Sequence, residues 1–325
     1  MARLTQAMID QARERIAPHV LETPVWHWRN PGSAGWPPGG SVWVKLELWQ
    51  RTGTFKARGA LNNVLSLAPE RREAGVVAVS AGNHAIATAY AARVAGCDAH
   101  VVMLQHSSPA RIEACRALGA KVELAADVHA AFARVAEIER AEGRVLIHPF
   151  EGLEVAAGTA TLGEEFLAQV PGLDAVIVPI GGGGLCAGVA SAVKLKSPGC
   201  RVIGVEPEGA DTMHRSFAAG TVQAIERVET IADSLGAPFA LPVSFELCRA
   251  HVDELVRVDD EGLREAMRLM FRSLSLAVEP ACAATTAALL GPLAGRLEGM
   301  HVGLIFCGSN IDLEGYHALL AGHAG

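Results

Sequence analysis

Aromatic residues, basic runs, paired cysteines and long apolar stretches are scarce in this sequence of 325 residues. Phe, Trp and Tyr make up 5% of the chain while half of it is apolar, so we expect a core of small side chains. The net charge is -7 and no basic block occurs, which excludes the electrostatic footprint of a nucleic-acid-binding protein. No apolar run approaches the ~18 residues of a membrane span, so no membrane insertion is predicted.

The cysteines are odd in number and none belongs to a CxxC pair. The seven are Cys97, Cys115, Cys186, Cys200, Cys248, Cys282 and Cys307. Such scatter indicates reduced thiols and a cytoplasmic location, not a disulfide framework or a zinc site. The twelve histidines show no HExxH or HxH spacing, so a transition-metal enzyme is not indicated. The N-terminal segment has an amphipathic helical pattern and no apolar signal core.

Short apolar runs alternate with alanine-rich helical stretches along most of the chain. Strands are predicted at "SVWVKLE", "GVVAVS", "AHVVML", "KVELA", "VLIHP", "DAVIVPI", "RVIGVEP" and "HVGLIFC". Helices are predicted over residues 55–67, 83–95, 108–118, 128–141, 159–170 and 185–196. Continuous Val/Ile runs separated by helices are typical of parallel strands buried on both faces, so the fold class is α/β. The length suggests about two domains.

Polar or glycine-rich turns follow three of the predicted strands. "VVAVS" is followed by "AGNH", "VIVPI" by "GGGGL" and "GLIFC" by "GSN". Ligands in open parallel sheets bind beyond the carboxyl ends of the strands, where helices present free N–H groups. The three turns therefore predict one shared crevice.

Four consecutive glycines, residues 181–184, lie between a buried strand and a helix. Their amides, unobstructed by Cβ atoms, would suit a phosphate, although a simple tight turn has the same composition. The stretch also fits G-x-G-x-x-A with Gly182, Gly184 and Ala187, and Glu206 follows about twenty residues on, as expected at a dinucleotide ribose. A nicotinamide-dependent oxidoreductase is therefore an alternative, which leaves Lys56 and "SAGNH" unexplained.

Lys56 lies in "QRTGTFKARGA", where a turn enters a helix. A lysine there is commonly a solvated surface residue, but a partly desolvated one has a lowered pKa and can act as a nucleophile. The turn "SAGNHA" places Ser80, Asn83 and His84 at a second helix start, either as an ordinary N-cap or as a site for a carboxylate.

These motifs together resemble the serine/threonine dehydratase family of pyridoxal-phosphate enzymes. The resemblance is carried by "KLELWQRTGTFKARGA", "SAGNHA", "GAKV", "HPF", "VPIGGGGL", "GVEP", "TIAD", "VEPACAA" and "CGSN", in the order of the family and over nearly the whole chain. It implies a fold of type II, as in serine racemase and the tryptophan synthase β subunit. It also implies a dehydratase, or ammonia-lyase, that converts a β-hydroxy-α-amino acid to a 2-oxo acid and ammonia.

The resemblance assigns roles to individual residues. Lys56 matches the lysine that binds pyridoxal 5'-phosphate covalently, and Phe55 matches the residue that packs on the cofactor ring. Further implied cofactor contacts are Asn83 at the phenolic oxygen, Gly181, Gly182, Gly183, Gly184 and Leu185 at the phosphate, Cys307 at the pyridine nitrogen, and Glu279, whose role is open. The implied substrate contacts are Thr54, Ser80, Ala81, Gly82, Asn83 and His84.

Several positions depart from the family pattern near the substrate region. They are Thr54, Ile86, Ala87, the segment 158–161, Ser234 and the segment 307–310. The preferred substrate is therefore expected to differ from plain threonine or serine, and a bulkier one such as phenylserine is a candidate. Abolished chemistry, leaving a binding protein, is a further alternative.

Two features bear on related activities. Serine racemases have a second serine where this chain has Ala81, which cannot exchange a proton, so a serine or aspartate racemase is only an alternative. In racemase-like members of the family a divalent cation is bound by residues that correspond to Glu206, Ala210 and a further acidic residue. Glu206 and Ala210 are matched in this chain, but Thr212 stands where the acidic residue is expected. A lost carboxylate weakens a Mg²⁺ or Ca²⁺ site, so no metal is assigned with certainty.

The resemblance also predicts the organisation of the chain. A large cofactor-binding domain is expected over residues 1–75 and 149–325, with a small inserted domain over 76–148 and the cleft between them. A homodimer is expected. The family's C-terminal regulatory domain is not expected here.

Overall fold

Two separate β-sheets organise the chain, whose computed structural model describes residues 2–322. The strands are β1 (Val25–Trp28), β2 (Ser41–Lys45), β3 (Val76–Val79), β4 (Ala99–Leu104), β5 (Lys121–Ala125), β6 (Val145–Leu146), β7 (Ala175–Pro179), β8 (Arg201–Pro207), β9 (Glu254–Val258) and β10 (His301–Ile305). The larger sheet has the order β1-β2-β10-β7-β8-β9 and the smaller one β5-β4-β3-β6. Only the β1–β2 pair is antiparallel among the pairs of these strands. The predicted α/β class with two parallel-sheet domains is confirmed.

Helices cover the sheets. They are α1 (Gln6–Ile16), α2 (Lys56–Ser66), α3 (Pro69–Glu73), α4 (Asn83–Ala95), α5 (Pro109–Ala117), α6 (Val128–Glu142), α7 (Leu153–Gln169), α8 (Gly184–Lys196), α9 (Thr212–Ala219), α10 (Pro242–His251), α11 (Asp260–Leu274), α12 (Pro280–Leu290) and α13 (Leu313–Leu320). None of the helices within residues 2–322 has the length and hydrophobicity of a membrane span.

The eight predicted strands are all present, and two further strands were missed. β1 is a short edge strand whose side chains are largely exposed, so it lacks a continuous apolar run. β9 lies at the opposite edge and carries charged residues at Glu254 and Arg257. The predicted start of a helix at Thr159 is wrong, because α7 begins at Leu153, directly after Gly152 with its positive φ of 110°.

Small residues let the helices approach closely, as the low aromatic content predicts. A Cβ at Gly188 of α8 would lie 2.1 Å from Thr159 Oγ1 of α7. The two helices therefore pack backbone against backbone beside β7, and α8 carries the glycine turn at its N-terminus.

Helix α2 lies between the two sheets. Its residues Ala57, Ala60, Leu61 and Val64 belong to the hydrophobic cluster of the smaller sheet. On its other side, a Cβ at Gly158 of α7 would lie 2.5 Å from Arg58 O. Lys56 is thus held at the junction of the two sheets. The domain boundaries expected from the sequence, at residues 75/76 and 148/149, stay a prediction.

Candidate active site

The three predicted turns meet in one cleft. The cavity that they share is lined by Phe55, Lys56, Asn83, Phe150, Pro179, Gly181, Gly182, Gly183, Gly184, Leu185, Ser234, Leu235, Glu279, Ala281 and Cys307. The lining includes all the residues predicted to bind the cofactor. Of the predicted substrate contacts, Asn83 lines this cavity as well, and Ser80, Ala81 and Gly82 precede it in the chain. His84 lines a second cavity together with Lys56, and Thr54 directly precedes Phe55.

Lys56 is the first residue of α2 and its side chain is half-buried. Its Nζ donates a hydrogen bond to Pro149 O at 2.7 Å and lies 5.1 Å from the centre of the Phe55 ring. Burial lowers the pKa of Lys56 to about 8, although the nearby Cys307 and Glu279 side chains oppose that shift. The amine is therefore closer to its nucleophilic, neutral form than an exposed lysine is.

The turn before Lys56 is pinned to the turn that follows β10. Phe55 N donates to Cys307 O at 3.0 Å, and Thr54 forms an isolated antiparallel bridge with Gly308. Gly53 has a φ of +72°, and a Cβ there would lie 2.2 Å from Asn310 Oδ1. The Gly-Thr-Phe sequence thus allows the close approach that aims Lys56 into the cleft.

The glycine turn has the shape of an anion cradle. Gly183 precedes α8 in the left-handed region, with φ 96°, and no side chain caps this helix. A Cβ at Gly182 would lie 2.2 Å from the Phe150 ring, and one at Gly184 would lie 2.6 Å from Phe150 O. Only glycine leaves this space free, and uncapped N–H groups at a helix N-terminus suit a phosphate. The residues present therefore fit the phosphate of pyridoxal phosphate.

A second uncapped helix start faces the cleft from the smaller sheet. Asn83 and His84 open α4, which has no side-chain cap, and Ser80 Oγ accepts from Gly82 N at 3.1 Å. The buried His84 ring bonds Ile147 O through Nε2 at 2.7 Å, and burial lowers its pKa to about 3. His84 is therefore neutral at physiological pH with its proton on Nε2, so only its backbone N–H is a donor for the predicted carboxylate contact.

Glu279 organises a polar network that joins the two sheets. Its carboxylate accepts hydrogen bonds from Asn83, from Ser234 at 3.1 Å and from Arg111 at 3.2 Å. Arg111 also pairs with Asp233 at 2.6 Å and donates to Asn310 O at 2.9 Å. Burial raises the pKa of Glu279, and the guanidinium of Arg111 opposes that shift.

Sequence reasoning missed Arg111 and the linking roles of Asp233 and Asn310. Asp233 and Asn310 belong to the quoted motifs "TIAD" and "CGSN", which could have drawn attention to them. Arg111 follows a proline in a polar helix segment, and nothing in that pattern distinguishes it from a surface arginine.

Cys307 lines the cavity as a buried free thiol. Contact with Cys282 and burial raise its pKa well above the ordinary value, so the thiol is neutral at physiological pH. A neutral thiol is only a weak hydrogen-bond donor, so at the predicted position it would interact weakly with the pyridine nitrogen of the cofactor.

Glu206 lies apart from the cavity lining. Its carboxylate accepts from Met213 N at 2.8 Å and His214 N at 2.7 Å, at the start of α9. Asp211 beside it pairs with Arg215 at 2.6 Å and Arg257 at 3.0 Å. Among residues 2–322, no group of three or more His, Cys, Asp or Glu could hold a metal ion. In this arrangement both carboxylate oxygens of Glu206 accept hydrogen bonds from backbone N–H groups of α9.

Known proteins are similar to this chain over most of its length. The profile of the family described as "Pyridoxal-phosphate dependent enzyme" matches residues 16–308. A phenylserine dehydratase of Ralstonia pickettii is 56% identical over 300 residues, which cover 92% of this chain and 91% of that protein. An L-threonine ammonia-lyase of Thermotoga maritima is 37% identical, with 85% and 69% covered. The structure of maize serine racemase superposes with a TM-score of 0.92 at 34% identity and covers 99% and 98% of the two chains.

Proposed function

The chain belongs to the pyridoxal-phosphate-dependent enzymes, and from that premise we propose that it is a dehydratase of β-hydroxy-α-amino acids. The products are a 2-oxo acid and ammonia, and the proposed preferred substrate is phenylserine. The observation that carries the reaction is the half-buried Lys56, with its lowered pKa, in one cavity with the glycine cradle.

Each side of the cleft has a distinct task in this proposal. Bound pyridoxal phosphate would supply the electron sink for the pair left when the Cα proton is removed. Gly181 to Gly184 would hold its phosphate, Asn83 its phenolic oxygen and Cys307 its ring nitrogen. The uncapped start of α4 would receive the substrate carboxylate. The Lys56 amine, freed when substrate binds, would take the Cα proton, and the β-hydroxyl would leave as water with a proton from the phosphate held in the glycine cradle. Hydrolysis of the imine form of the released product would then give the 2-oxo acid and ammonia.

The relatives support the choice of substrate class. Besides the 56% identical phenylserine dehydratase, they include an L-threo-3-hydroxyaspartate ammonia-lyase of Saccharomyces cerevisiae at 36% identity. Elimination from a β-hydroxy amino acid is common to these names, and the side chain accepted differs. The departures at Thr54, Ile86 and Ser234 agree with a substrate other than threonine.

Racemisation is not the proposed activity, although serine racemases are among the relatives, at 34% identity. The turn that would receive the carboxylate has Ala81, whose methyl group can neither give nor accept a proton. A purified enzyme incubated with L-serine should therefore form 2-oxo acid without accumulating D-serine, as chiral chromatography would report.

The decisive experiment measures 2-oxo acid from phenylserine, threonine, serine and threo-3-hydroxyaspartate with the purified protein. We expect a coloured enzyme, loss of colour and activity with hydroxylamine, and the highest kcat/KM for phenylserine. A colourless protein stabilised by NAD and inactive on the whole panel would refute the proposal and favour the oxidoreductase alternative.

We further propose that the protein is a cytoplasmic homodimer. All seven cysteines lie within the described residues and are free, as expected of a reducing compartment. Light scattering of the purified holoenzyme would measure the oligomeric state, and activity in EDTA compared with activity in Mg²⁺ would show whether the enzyme uses a divalent cation.

A further inference from the structure

Three phenylalanine rings form a chain across the cleft between the two sheets. Phe132 belongs to α6, Phe150 follows β6, and Phe239 lies in the segment before α10. The Phe239 ring centroid is 6.3 Å from that of Phe132, at an interplanar angle of 53°, and 6.3 Å from that of Phe150, at 50°. These are the spacings and tilts of interacting aromatic pairs.

The rings differ from the core phenylalanines in burial. Phe166 and Phe306 are 1% and 0% exposed, as expected of residues that only fill the core. Phe132, Phe150 and Phe239 are all half-buried, although they contact one another. Each ring therefore keeps an exposed part that a further apolar group could contact. Such a cluster is notable because aromatic residues make up only 5% of the chain.

The chain of rings connects the two anchors of the proposed reaction. Phe150 lines the cofactor cavity and lies against the glycine cradle, since a Cβ at Gly182 would meet its ring. Phe132 packs on the same hydrophobic cluster as Ala81, in the turn that would receive the carboxylate. The wall of rings therefore runs from the cofactor cavity to the cluster that holds the proposed carboxylate turn.

The wall is also uncharged. His148 contacts Phe150 edge to face at a centroid distance of 4.6 Å, and burial lowers the pKa of His148 to about 4, so it is neutral at physiological pH. Arg111 in the Glu279 network is already paired with two carboxylates. A second carboxylate on the substrate would find no free cation in these contacts, whereas an aryl ring would extend the aromatic cluster.

We propose that Phe132 and Phe239 form the subsite for the aryl side chain of the substrate and determine specificity for it. This inference rests on the proposed dehydratase function. It assigns the enzyme's preference for a substrate with an aryl side chain to these two residues. Neither is a catalytic residue, because the reacting atoms lie at the Lys56 end of the cleft.

The test compares kcat/KM for phenylserine and for threonine in the holoenzyme and in Phe132→Leu and Phe239→Leu. Leucine keeps an apolar side chain and removes the ring. Each variant should lower the phenylserine-to-threonine ratio about tenfold, mainly through a higher KM for phenylserine, because one aromatic contact is lost. L-phenylalanine should inhibit the variants more weakly in proportion, while inhibition by L-alanine should stay unchanged.

The matched control is Phe271→Leu, a change of the same kind on α11, where the ring is 52% exposed and faces Tyr316. It should leave the ratio unchanged. Unaltered ratios in both cleft variants, or a wild-type enzyme that turns over threonine but not phenylserine, would overturn the subsite. Failure of the wild-type enzyme on every β-hydroxy amino acid would instead overturn the proposed function.

Discussion

The side-chain nitrogen of Asn83 lies 2.9 Å from each carboxylate oxygen of Glu279, and Glu279 is 1% exposed. Asn83 begins α4 beside the smaller sheet, while Glu279 directly precedes α12, which packs on the larger one. The pair therefore spans the cleft. We propose that Glu279, whose role the family resemblance leaves open, fixes the amide that would contact the cofactor.

Removing Arg111 should weaken this connection. In Arg111→Ala, the buried Glu279 loses its cationic partner, and breaking a buried pair on one side costs about 3–5 kcal/mol. We expect a lower free energy of unfolding in urea and a higher KM for substrate. The control is Arg116→Ala on the same helix, whose exposed pair with Glu113 is 3.8 Å long and contributes about 0–1 kcal/mol. Equal stabilities of the two variants would contradict the network's role.

Lys56→Ala should abolish the visible absorption of the lysine-bound cofactor and lower turnover by at least about 10²-fold, because the nucleophilic amine and the proposed base are lost together. Absorption spectra and 2-oxo acid assays measure the two effects. Lys121→Ala, at an exposed position of β5, serves as the control. Full activity in Lys56→Ala would reject the assignment.

Gly184→Ala should weaken cofactor binding without preventing folding of the rest of the chain. The new Cβ would lie 2.6 Å from Phe150 O, a backbone atom, so the cradle has to widen. We expect at least about a tenfold higher dissociation constant for pyridoxal phosphate, or ~1.4 kcal/mol, in a titration of the apoenzyme. Gly199→Ala has open space around its Cβ and should bind the cofactor like the wild type.

Glu206 should make stability fall as pH rises. Burial raises its pKa in the folded protein from 4.5 to about 8. Between these values the folded state holds a proton that the unfolded state has released, so the free energy of unfolding falls by up to about 1.4 kcal/mol per pH unit. The contribution is fully present below the unfolded pKa and is lost as pH passes the folded one.

Urea unfolding of the wild type and of Glu206→Gln, between about pH 5 and pH 8, measures this effect. The variant should show a shallower decline because its side chain does not titrate. Glu208→Gln, two residues on and exposed, should follow the wild-type curve. Superimposable curves for wild type and Glu206→Gln would disprove the linkage.

Much of the fold was predictable because its signals are local. The buried strands β3, β4 and β7 are continuous runs of apolar residues, and the start of α4 at Asn83 was predicted to the residue. The edge strands β1 and β9 were missed because their burial is partial and their partners are distant in sequence. A run of apolar residues indicates a buried strand, whereas an edge strand forms by pairing with a neighbouring strand and need not contain such a run.

The candidate site divides in the same way. Lys56 and the glycine turn stand in distinctive local patterns, and the structure brings them into one cavity. Arg111 and Phe239 join the cleft only through contacts with residues that are far from them in the sequence, which no short sequence window contains. Their importance follows from tertiary packing.

Helix α2 carries the reactive amine on its first residue while the rest of its length is wedged between both halves of the molecule. The position of the Lys56 amine therefore depends on the packing of the whole helix as well as on the turn that precedes it. Replacing Ala60, which is 3% exposed, by a larger residue would displace helix α2. Such a change, remote from any ligand, should slow turnover and also lower the melting temperature, since overpacking a core typically costs about 1–3 kcal/mol.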